Sequence, residues 1–371
     1  MHQAFKNLLM IFKKKKILTI LGTRPEIIRL SKVIPKLDKF YINTLVHTGQ
    51  NFDYELDKIF LKELNVRKPN YYLNARGSFA KQISTIIKKL EVILAKEKPE
   101  KFLVLGDTNS SVGAIVAARM GIKVYHMEAG NRCYNKKSPE EVNRRIIDHT
   151  SDILLPYTHG SRLNLVKEGI KNKKIFVTGN PINEVVISFK KKIKYSKILD
   201  KLSLDKNNFF LLTLHRQENT DDLKVFNNLL NSFKKIVIKY DKKIVWPIHP
   251  RSKKMLKMIK SIKLDKRIIL IKPLGFFDFV KLEQNCFMTI TDSGTVQEES
   301  NIFKKPCLII REYTERPETI NAGGAKLVGS NLKKIINSIE YLSRKKINIK
   351  KIKDYDVKNV SSKILTIMKN F

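Results

Sequence analysis

The chain has 371 residues, of which 42% are hydrophobic, and 73 Lys and Arg stand against 35 Asp and Glu. At about 150 residues per domain this length predicts two or three domains, and the apolar fraction excludes a disordered chain. The cysteines are too few and too widely spaced for a disulfide scaffold or a CxxC metal site, and they indicate a reducing, cytoplasmic location. They are Cys133, Cys286 and Cys307.

The net charge of +38 raises the question of a polyanion partner. Lysine supplies 58 of the 73 cations and is spread along the chain, whereas base recognition and bidentate phosphate binding favour arginine. No zinc-finger spacing, RNP-like aromatic run or basic-zipper pattern is visible. We therefore expect no specific nucleic-acid partner, and keep a charge-driven polyanion-binding protein as a distant alternative.

No run of the sequence approaches the roughly 18 apolar residues of a membrane span, so membrane insertion is not expected. Residues 1–16 carry a short apolar patch that is followed by Lys13–Lys16. A secretory signal has its charges before the apolar core, and the order here is the reverse. We interpret 1–16 as an N-terminal extension or an alternative start, with membrane-surface contact as the less favoured reading.

Short apolar strands alternate with helices along the whole chain. The first half predicts strands at Lys16–Leu21, Ile42–Val46, Lys101–Leu105, Lys123–His126, Ile153–Pro156 and Lys174–Val177, with helices at Pro25–Leu37 and Ser111–Met120. The second half predicts strands at Phe209–Thr213, Lys243–Pro247, Ile268–Ile271, Phe287–Thr291 and Pro306–Ile310, with helices at Leu332–Leu342 and Val357–Lys369. This alternation is typical of parallel sheets that carry helices on both faces.

The fold class expected from this pattern is α/β, with two Rossmann-like domains and an interdomain cleft. The predicted limits are 1–16 for the extension, 17–181 for the N-terminal domain and 182–352 for the C-terminal domain. The last segment, 353–371, is expected to be a helix that packs back toward the N-terminal domain.

Polar residues follow the predicted strands of the second half, where an open α/β sheet binds its ligands. Asp292, Ser293 and Gly294 lead from a strand into a helix whose backbone N–H groups could hold a phosphate. Glu298 or Glu299, one turn further on, could accept ribose hydroxyls. The structural alternative is an ordinary N-cap, in which Asp or Ser is followed by Glu.

Cations and histidines also stand at strand ends. Arg24 precedes Pro25, and a proline suits the start of a helix. An arginine gains nothing structurally at this position, so Arg24 indicates a bound anion. Arg29 follows on the same predicted helix. His215 and His249 close two strands of the second half, and although a lone His is more often structural, His215 next to Arg216 favours contact with a phosphate.

Carboxylates gather at strand ends of the first half. Asp107 and Glu128 end two strands, and Glu140 or Glu141 could pair with Arg144 at the start of a helix. Such helix pairs are usually solvated, but several acids converging at strand ends are costly unless a site uses them. No GxGxxG, P-loop, HExxH or GxSxG motif is present. The residues alone leave the substrate open.

Taken together and in order, these motifs resemble the non-hydrolysing UDP-N-acetylglucosamine 2-epimerase family over residues 17–330. The matching motifs are Gly22-Thr23-Arg24-Pro25-Glu26, Thr48-Gly49-Gln50, Gly106-Asp107-Thr108, Glu128-Ala129-Gly130, Pro139-Glu140-Glu141 with Asn143-Arg144, Asp292-Ser293-Gly294 with Gln297-Glu298-Glu299, and Thr314-Glu315-Arg316-Pro317-Glu318. The resemblance implies a GT-B arrangement of the two domains and an isomerase that inverts C2 of a UDP-2-acetamido sugar by eliminating and re-adding UDP. It also implies that the C-terminal domain, 182–352, binds UDP, that the protein is a homodimer, and that no metal or other cofactor is needed.

The resemblance and the strand-end positions together define the expected site. The expected catalytic residues are Asp107, Glu128, Glu140 and His215. The expected substrate- and UDP-binding residues are Arg24, Arg29, Arg144, His249, Ser293, Gly294, Glu298, Glu299 and Arg316.

Two features bear on the substrate. Asn51-Phe52-Asp53 stands where enzymes acting on UDP-N-acetylglucosamine often carry His-Arg, in a region that contributes to an allosteric substrate site. The segments 126–133 and 140–149 resemble the subgroup that converts UDP-2-acetamido-2,6-dideoxy-L-talose to UDP-N-acetyl-L-fucosamine for O-antigen or capsule. We therefore expect this substrate ahead of UDP-N-acetylglucosamine, with a GT-B glycosyltransferase as a more distant alternative.

Overall fold

The computed structural model of the chain describes residues 14–50, 54–135, 138–259, 264–344 and 347–371. Nearly all of the expected extension, and the segment Asn51-Phe52-Asp53, lie outside these described residues. The chain divides into two compact units. The first comprises the described residues of Met1–Val185 together with Asn359–Phe371, and the second is Val186–Lys358. None of the described helices is both long and apolar enough to cross a membrane.

The first unit is built on a parallel sheet. Its strands are β1 (Lys16–Leu21), β2 (Ile42–His47), β3 (Tyr71–Tyr72), β4 (Lys101–Leu105), β5 (Lys123–Met127) and β6 (Ile153–Leu155). Its helices are α1 (Arg24–Leu30), α2 (Val33–Phe40), α3 (Tyr54–Glu63), α4 (Phe79–Glu97), α5 (Gly113–Arg119), α6 (Pro139–Thr150) and α7 (His159–Lys167), with 3₁₀ turns at Asn109–Val112 and Asn172–Lys174. α8 (Ile182–Ser188) spans the division between the units.

The second unit repeats this construction. Its strands are β7 (Phe209–Thr213), β8 (Lys243–Pro247), β9 (Ile268–Ile271), β10 (Met288–Thr291), β11 (Cys307–Ile309) and β12 (Ala325–Leu327). Its helices are α9 (Lys190–Lys194), α10 (Ile198–Lys201), α11 (Gln217–Thr220), α12 (Leu223–Tyr240), α13 (Pro250–Met258), α14 (Phe276–Asn285), α15 (Gly294–Ile302), α16 (Pro317–Asn321) and α17 (Leu332–Leu342), with a 3₁₀ turn at Lys353–Tyr355. The last helix, α18 (Val360–Asn370), belongs to the first unit.

Both sheets have the Rossmann strand order. The first runs β3-β2-β1-β4-β5-β6 and the second β12-β11-β10-β7-β8-β9, with parallel pairing throughout. In each, the strand order reverses between the unit's first and fourth strands, which are β1 and β4 in one and β7 and β10 in the other. Ligands of such sheets bind beyond the carboxyl ends of the strands at this switch point. The predicted α/β class, with two Rossmann-like sheets, is confirmed.

Apolar side chains fix each sheet to its helices. In the first unit, Leu18 and Phe102 of the sheet pack with Leu90 of α4, and all three are fully buried. In the second unit, Trp246 of β8 packs edge-on against Phe233 of α12, at 6.1 Å between ring centroids. Because both faces of each sheet are covered, the strands are nearly continuous apolar runs, which is why the sequence pattern identifies them.

The C-terminal helix α18 packs against the first unit. Lys36 Nζ of α2 donates a hydrogen bond to Ser362 Oγ (2.5 Å), and the Phe371 ring lies 4.8 Å from that of Phe176. Lys101 Nζ donates to the Met368 carbonyl at the C-terminal end of α18. These contacts tie the last helix to α2 and to the start of β4.

Two predicted elements differ from the structure. The single helix expected over Pro25–Leu37 is broken between α1 and α2, because a ring at Pro35 in a continuous helix would clash with the carbonyl of Ser31. The strand expected at Lys174–Val177 is only an isolated bridge from Ile175 to Leu154. The two-residue strand β3 and the short β12 were not predicted, because two or three residues are too few to show a pattern of apolar side chains.

Gly22 follows β1 at a point where two side chains come close to the backbone. A Cβ placed there would lie 1.9 Å from Thr48 Oγ1 and 2.2 Å from Ser110 Oγ, two buried hydroxyls that hydrogen-bond to each other at 2.8 Å. We expect Gly22→Ala to lower the free energy of unfolding by about 1–3 kcal/mol, measured by urea denaturation.

Gly160→Ala is the matched control for this variant. Its Cβ would meet only Thr158 Oγ1, at 3.6 Å, and alanine favours the helix α7. Wild-type stability in Gly22→Ala would contradict the close approach.

Candidate active site

A buried acid, Glu26, lies at the switch point of the first sheet. Glu26 of α1 accepts hydrogen bonds from the backbone N–H groups of Gly22 and Thr23 and from Thr108 Oγ1, and so connects the ends of β1 and β4. Burial, together with the charge of Asp107, raises the pKa of Glu26 to about 7. Arg24 begins the same helix and is half-buried. The hydrogen bonds of Glu26 therefore fix the first turn of α1 to the ends of β1 and β4, where the site is predicted.

Arg144 lies between two carboxylates at the end of β4. Its Nε and Nη2 each lie 2.7 Å from Asp107 Oδ2, and its Nη1 lies 3.1 Å from Glu141 Oε2. Burial would raise the pKa of Glu141, but the backbone N–H of Cys133 and the Arg144 guanidinium hold it below its usual value. The Asp107 side chain keeps 19% exposure against 4% for Glu141. Asp107 is therefore the more accessible of the two carboxylates.

Glu128 follows β5 with a strained backbone. Its φ is +67°, which is unusual for a residue other than glycine and recurs at functional sites. Its Oε2 lies 2.5 Å from Arg29 Nη1, both side chains are 5% exposed, and Asn131 Nδ2 donates to its other oxygen at 3.3 Å. Arg29, expected to bind substrate, is thus paired with an expected catalytic acid.

A second buried carboxylate holds the segment that carries Glu128. Asp148 of α6 lies 2.8 Å from His126 Nδ1 and 2.8 Å from Arg132 Nη1, and accepts from the Gly130 backbone N–H at 3.1 Å. His126 Nε2 also lies 2.9 Å from the Gly106 carbonyl. Sequence analysis missed these roles. The sequence signal that could have found them is a histidine and an arginine on either side of Glu128, His126 and Arg132, with Asp148 on the next predicted helix.

Glu140 and Glu141 lie in the first turn of α6. Ser138 Oγ donates to Glu140 Oε2 at 3.0 Å, and Arg144 Nη1 lies 3.1 Å from Glu141 Oε2. Glu141, one of the two acids that the sequence left open as partners of Arg144, therefore contacts that arginine. The catalytic role of Glu140 stays a prediction.

In the second unit, Asp292 ends β10 and organises the end of β7. Its Oδ2 accepts from the backbone N–H groups of His215 (2.9 Å) and Arg216 (2.8 Å) and from Asn219 Nδ2 (3.2 Å). His215 Nδ1 lies 2.9 Å from Asp292 Oδ1. Burial would raise the pKa of Asp292, but His215 and these N–H groups hold it well below the usual value. The carboxylate thus fixes the half-exposed His215 ring at the switch point.

His249, Ser293 and Gly294 lie around the same end of the second sheet. The rings of His215 and His249 are 5.7 Å apart, and His249 Nδ1 caps α13 by accepting from the Arg251 N–H at 3.2 Å. Ser293 is the N-cap position of α15, and Gly294 is its first residue. A Cβ on Gly294 would lie 2.8 Å from Glu315 Oε1, so a larger residue would displace the Glu315 carboxylate.

The remaining predicted residues lie farther along α15 and at the start of α16. Arg316 Nε donates to Glu298 Oε1, and Arg316 Nη1 lies 3.5 Å from Glu315 Oε1. Glu299, the next residue on α15, is 4% exposed. Arg311, which the sequence analysis did not select, is fully buried against Glu218 and Glu315, at 3.0 and 2.9 Å. The described residues include no cluster of three or more His, Cys, Asp or Glu side chains able to hold a metal ion.

The Thr48-Gly49-Gln50 motif is preceded by a buried neutral histidine. His47 Nδ1 accepts the Gly49 N–H at 3.0 Å, and its Nε2 lies 3.7 Å from the buried Asp57 Oδ2. The His47 side chain is 1% exposed, and burial outweighs this carboxylate and lowers the pKa of His47 to about 4. The unfolded chain binds this proton below about pH 6.5, so the stability contributed by His47 is present above that pH and is lost as the pH falls toward 4. We expect His47 to make the protein about 2 kcal/mol less stable at pH 5 than at pH 7.5.

Urea unfolding of the wild type and of His47→Gln at both pH values measures this contribution. The loss between pH 7.5 and pH 5 should be smaller in His47→Gln, because glutamine does not titrate. An equal loss in both proteins would exclude His47 as the group responsible.

Comparison with known proteins is consistent with this geometry. The family described as UDP-N-acetylglucosamine 2-epimerase matches residues 36–369. The UDP-N-acetylglucosamine 2-epimerase of Methanococcus maripaludis is 43% identical over 336 residues, covering 88% of this chain and 91% of that protein. The UDP-2,3-diacetamido-2,3-dideoxy-D-glucuronate 2-epimerase of Pseudomonas aeruginosa is 35% identical, covering 87% and 91%.

A solved structure is similar over nearly the whole chain. It is the Methanocaldococcus jannaschii UDP-GlcNAc 2-epimerase in complex with UDP-GlcNAc and UDP, with a TM-score of 0.90 and 39% identity, covering 96% of this chain and 100% of that one. The fold and the relatives define the protein as an α/β enzyme of the isomerase class. The chain belongs to the UDP-N-acetylglucosamine 2-epimerase family.

Proposed function

We propose that this protein inverts C2 of a UDP-2-acetamido sugar by eliminating and re-adding UDP, and that UDP-N-acetylglucosamine is its substrate. The observation that carries the proposal is the position of the expected site residues. Asp107 follows β4, and Ser293 and Gly294 follow β10, at the switch points of their own sheets. Ion-paired carboxylates occupy the first switch point, and a helix N-terminus with a histidine occupies the second.

The first unit supplies the proton-transfer groups in this proposal. The C2 proton of the sugar is not acidic, so a base must remove it while UDP departs from C1, which leaves a 2-acetamido-glycal. UDP then adds back to C1, and an acid delivers a proton to C2 on the opposite face. Asp107 and Glu128 follow the neighbouring strands β4 and β5, each is paired with an arginine, and carboxyl groups are common proton donors and acceptors in catalysis.

The second unit binds the nucleotide in this proposal. Ser293 and Gly294 begin α15, and helix N-termini bind phosphate through their free N–H groups. His215, which contacts Asp292, would stabilise the departing diphosphate. Glu299 would accept the ribose hydroxyls, and His249 and Arg316 would supply further contacts expected from the sequence.

The preferred substrate follows the names of the relatives. The archaeal protein that is 43% identical is a UDP-N-acetylglucosamine 2-epimerase, whereas the 35% identical bacterial one acts on a diacetamido glucuronate. UDP-2-acetamido-2,6-dideoxy-L-talose, which the sequence analysis put first, becomes the second candidate. It is favoured by the subgroup resemblance of segments 126–133 and 140–149. With it would come a role in O-antigen or capsule synthesis.

Incubation with UDP-N-acetylglucosamine in D₂O tests the proposal. We expect UDP-N-acetylmannosamine that carries deuterium at C2, because the re-added proton comes from solvent. Product without deuterium would exclude the elimination route. Parallel kcat/KM measurements with the 6-deoxy-L-talose substrate decide between the two sugars. We also propose that the protein is a cytoplasmic homodimer, and light scattering on the same preparation measures its oligomeric state.

A further inference from the structure

One buried acid of the second unit has no part in the function proposed so far. Glu283 lies on α14, is 0% exposed, and neither of its carboxylate oxygens receives a hydrogen bond from the described residues. An isolated buried carboxylate costs several kcal/mol unless it is neutralised or paired. Something must therefore compensate Glu283.

The neighbour of Glu283 is another acid. Its side chain interacts directly with Glu299 of α15, which is itself 4% exposed. The Cys307 thiol also acts on it, and burial raises the pKa of Cys307 to about 11, so that thiol is neutral near pH 7. Burial first, and then Glu299, raise the pKa of Glu283 well above its usual value. Two adjacent buried carboxyl groups cannot both ionise, and the more deeply buried one retains the proton.

Each of the two adjacent acids of α15 has a partner within the second unit. Glu298 receives the Nε hydrogen bond of Arg316. Glu299 interacts with Glu283, which can donate a hydrogen bond only if it is protonated. A carboxylate that accepts from a neutral O–H donor keeps its negative charge.

We propose that Glu283 is a positioning residue that stays protonated at neutral pH, donates its O–H to the Glu299 carboxylate, and so orients Glu299 as the anionic acceptor for the hydroxyls of the nucleotide's ribose. This inference rests on the proposed function, since it requires that Glu299 contacts a bound UDP. Glu283 itself is 0% exposed and would act through Glu299.

Two substitutions separate hydrogen bonding from packing. Glu283→Gln keeps the volume and provides an N–H donor, whereas Glu283→Met keeps the volume and removes the donor. We expect Glu283→Met to weaken UDP binding about tenfold, the usual effect of losing one hydrogen bond to a charged group. The affinity of Glu283→Met for 2′,3′-dideoxyuridine diphosphate should be nearly that of the wild type, because this analogue lacks the two ribose hydroxyls. Glu283→Gln should keep the wild-type preference for UDP, and Glu299→Ala should lose it.

Titration calorimetry of UDP and of the dideoxy analogue gives these affinities, with thermal melting of each variant as the control for folding. Wild-type protein that does not bind UDP would refute the proposed function. Wild-type protein that prefers UDP while Glu283→Met keeps that preference unchanged would overturn this inference alone. Glu283→Gln behaving like Glu283→Met would also overturn it.

Infrared difference spectroscopy tests the proton without any ligand and remains decisive if Glu283→Met does not fold. The spectrum of the wild type minus that of Glu283→Gln at pH 7 should contain the carbonyl band of a protonated carboxyl group. A purely structural role does not require this band. Its absence would overturn the inference.

Discussion

Asp107→Asn is expected to lower kcat by about 10²-fold or more while UDP still binds, because an acid/base group usually contributes that factor. Asparagine preserves the shape of the side chain but cannot exchange a proton with C2. Arg144 keeps its contact with Glu141 at 3.1 Å, so the guanidinium is not stranded. Isomerisation rates, measured with UDP affinity on the same samples, separate a chemical defect from a binding defect.

Glu128→Gln should reduce kcat by a similar factor, with a cost in stability as well. Glu128 and Arg29 are both 5% exposed, and removing one charge of a buried pair leaves the other poorly compensated. A lower melting temperature is therefore expected for this variant but not for Asp107→Asn. Asp38→Asn, which changes the half-exposed pair with Arg67, is the matched control and should leave kcat unchanged. A wild-type rate in either active-site variant would remove that residue from the mechanism.

Asp292→Ala should cause the largest loss of stability, about 3–5 kcal/mol, because it removes the acceptor of several buried donors at once. These donors are the backbone N–H groups of His215 and Arg216 and the amide of Asn219. At this unit size the expected fall in melting temperature is roughly 10 °C. Because His215 loses its partner, UDP binding should weaken as well.

Trp246 makes this measurement specific to the second unit. It is the only tryptophan of the chain and is fully buried on β8, so its fluorescence reports the unfolding of that unit. Asp292→Asn is the matched control, since its amide oxygen can still accept from the two N–H groups, and it should lose much less stability. Stability within about 1 kcal/mol of wild type in Asp292→Ala would contradict the organising role of this carboxylate.

The sequence located the elements that lead to the site better than it described the contacts within it. Strands such as Lys101–Leu105 and Phe209–Thr213 were predicted with the bounds that the structure has, because a strand buried on both faces is a local apolar run. Asp107 and His215 were selected because they follow these strands, at the carboxyl ends where ligands bind. The break between α1 and α2 was missed, although Pro35 signals it.

What the sequence by itself determined is the fold class, the order of the strands along the chain, and the residues that stand at the strand ends. Only the tertiary structure decided which partner each of these residues has. Arg29 meets Glu128 across 99 residues, and Glu283 meets Glu299 from another helix. The physical reason is range: apolar periodicity is set by neighbours along the chain, whereas ion pairs and shared protons depend on which distant side chains the packing brings together and removes from water.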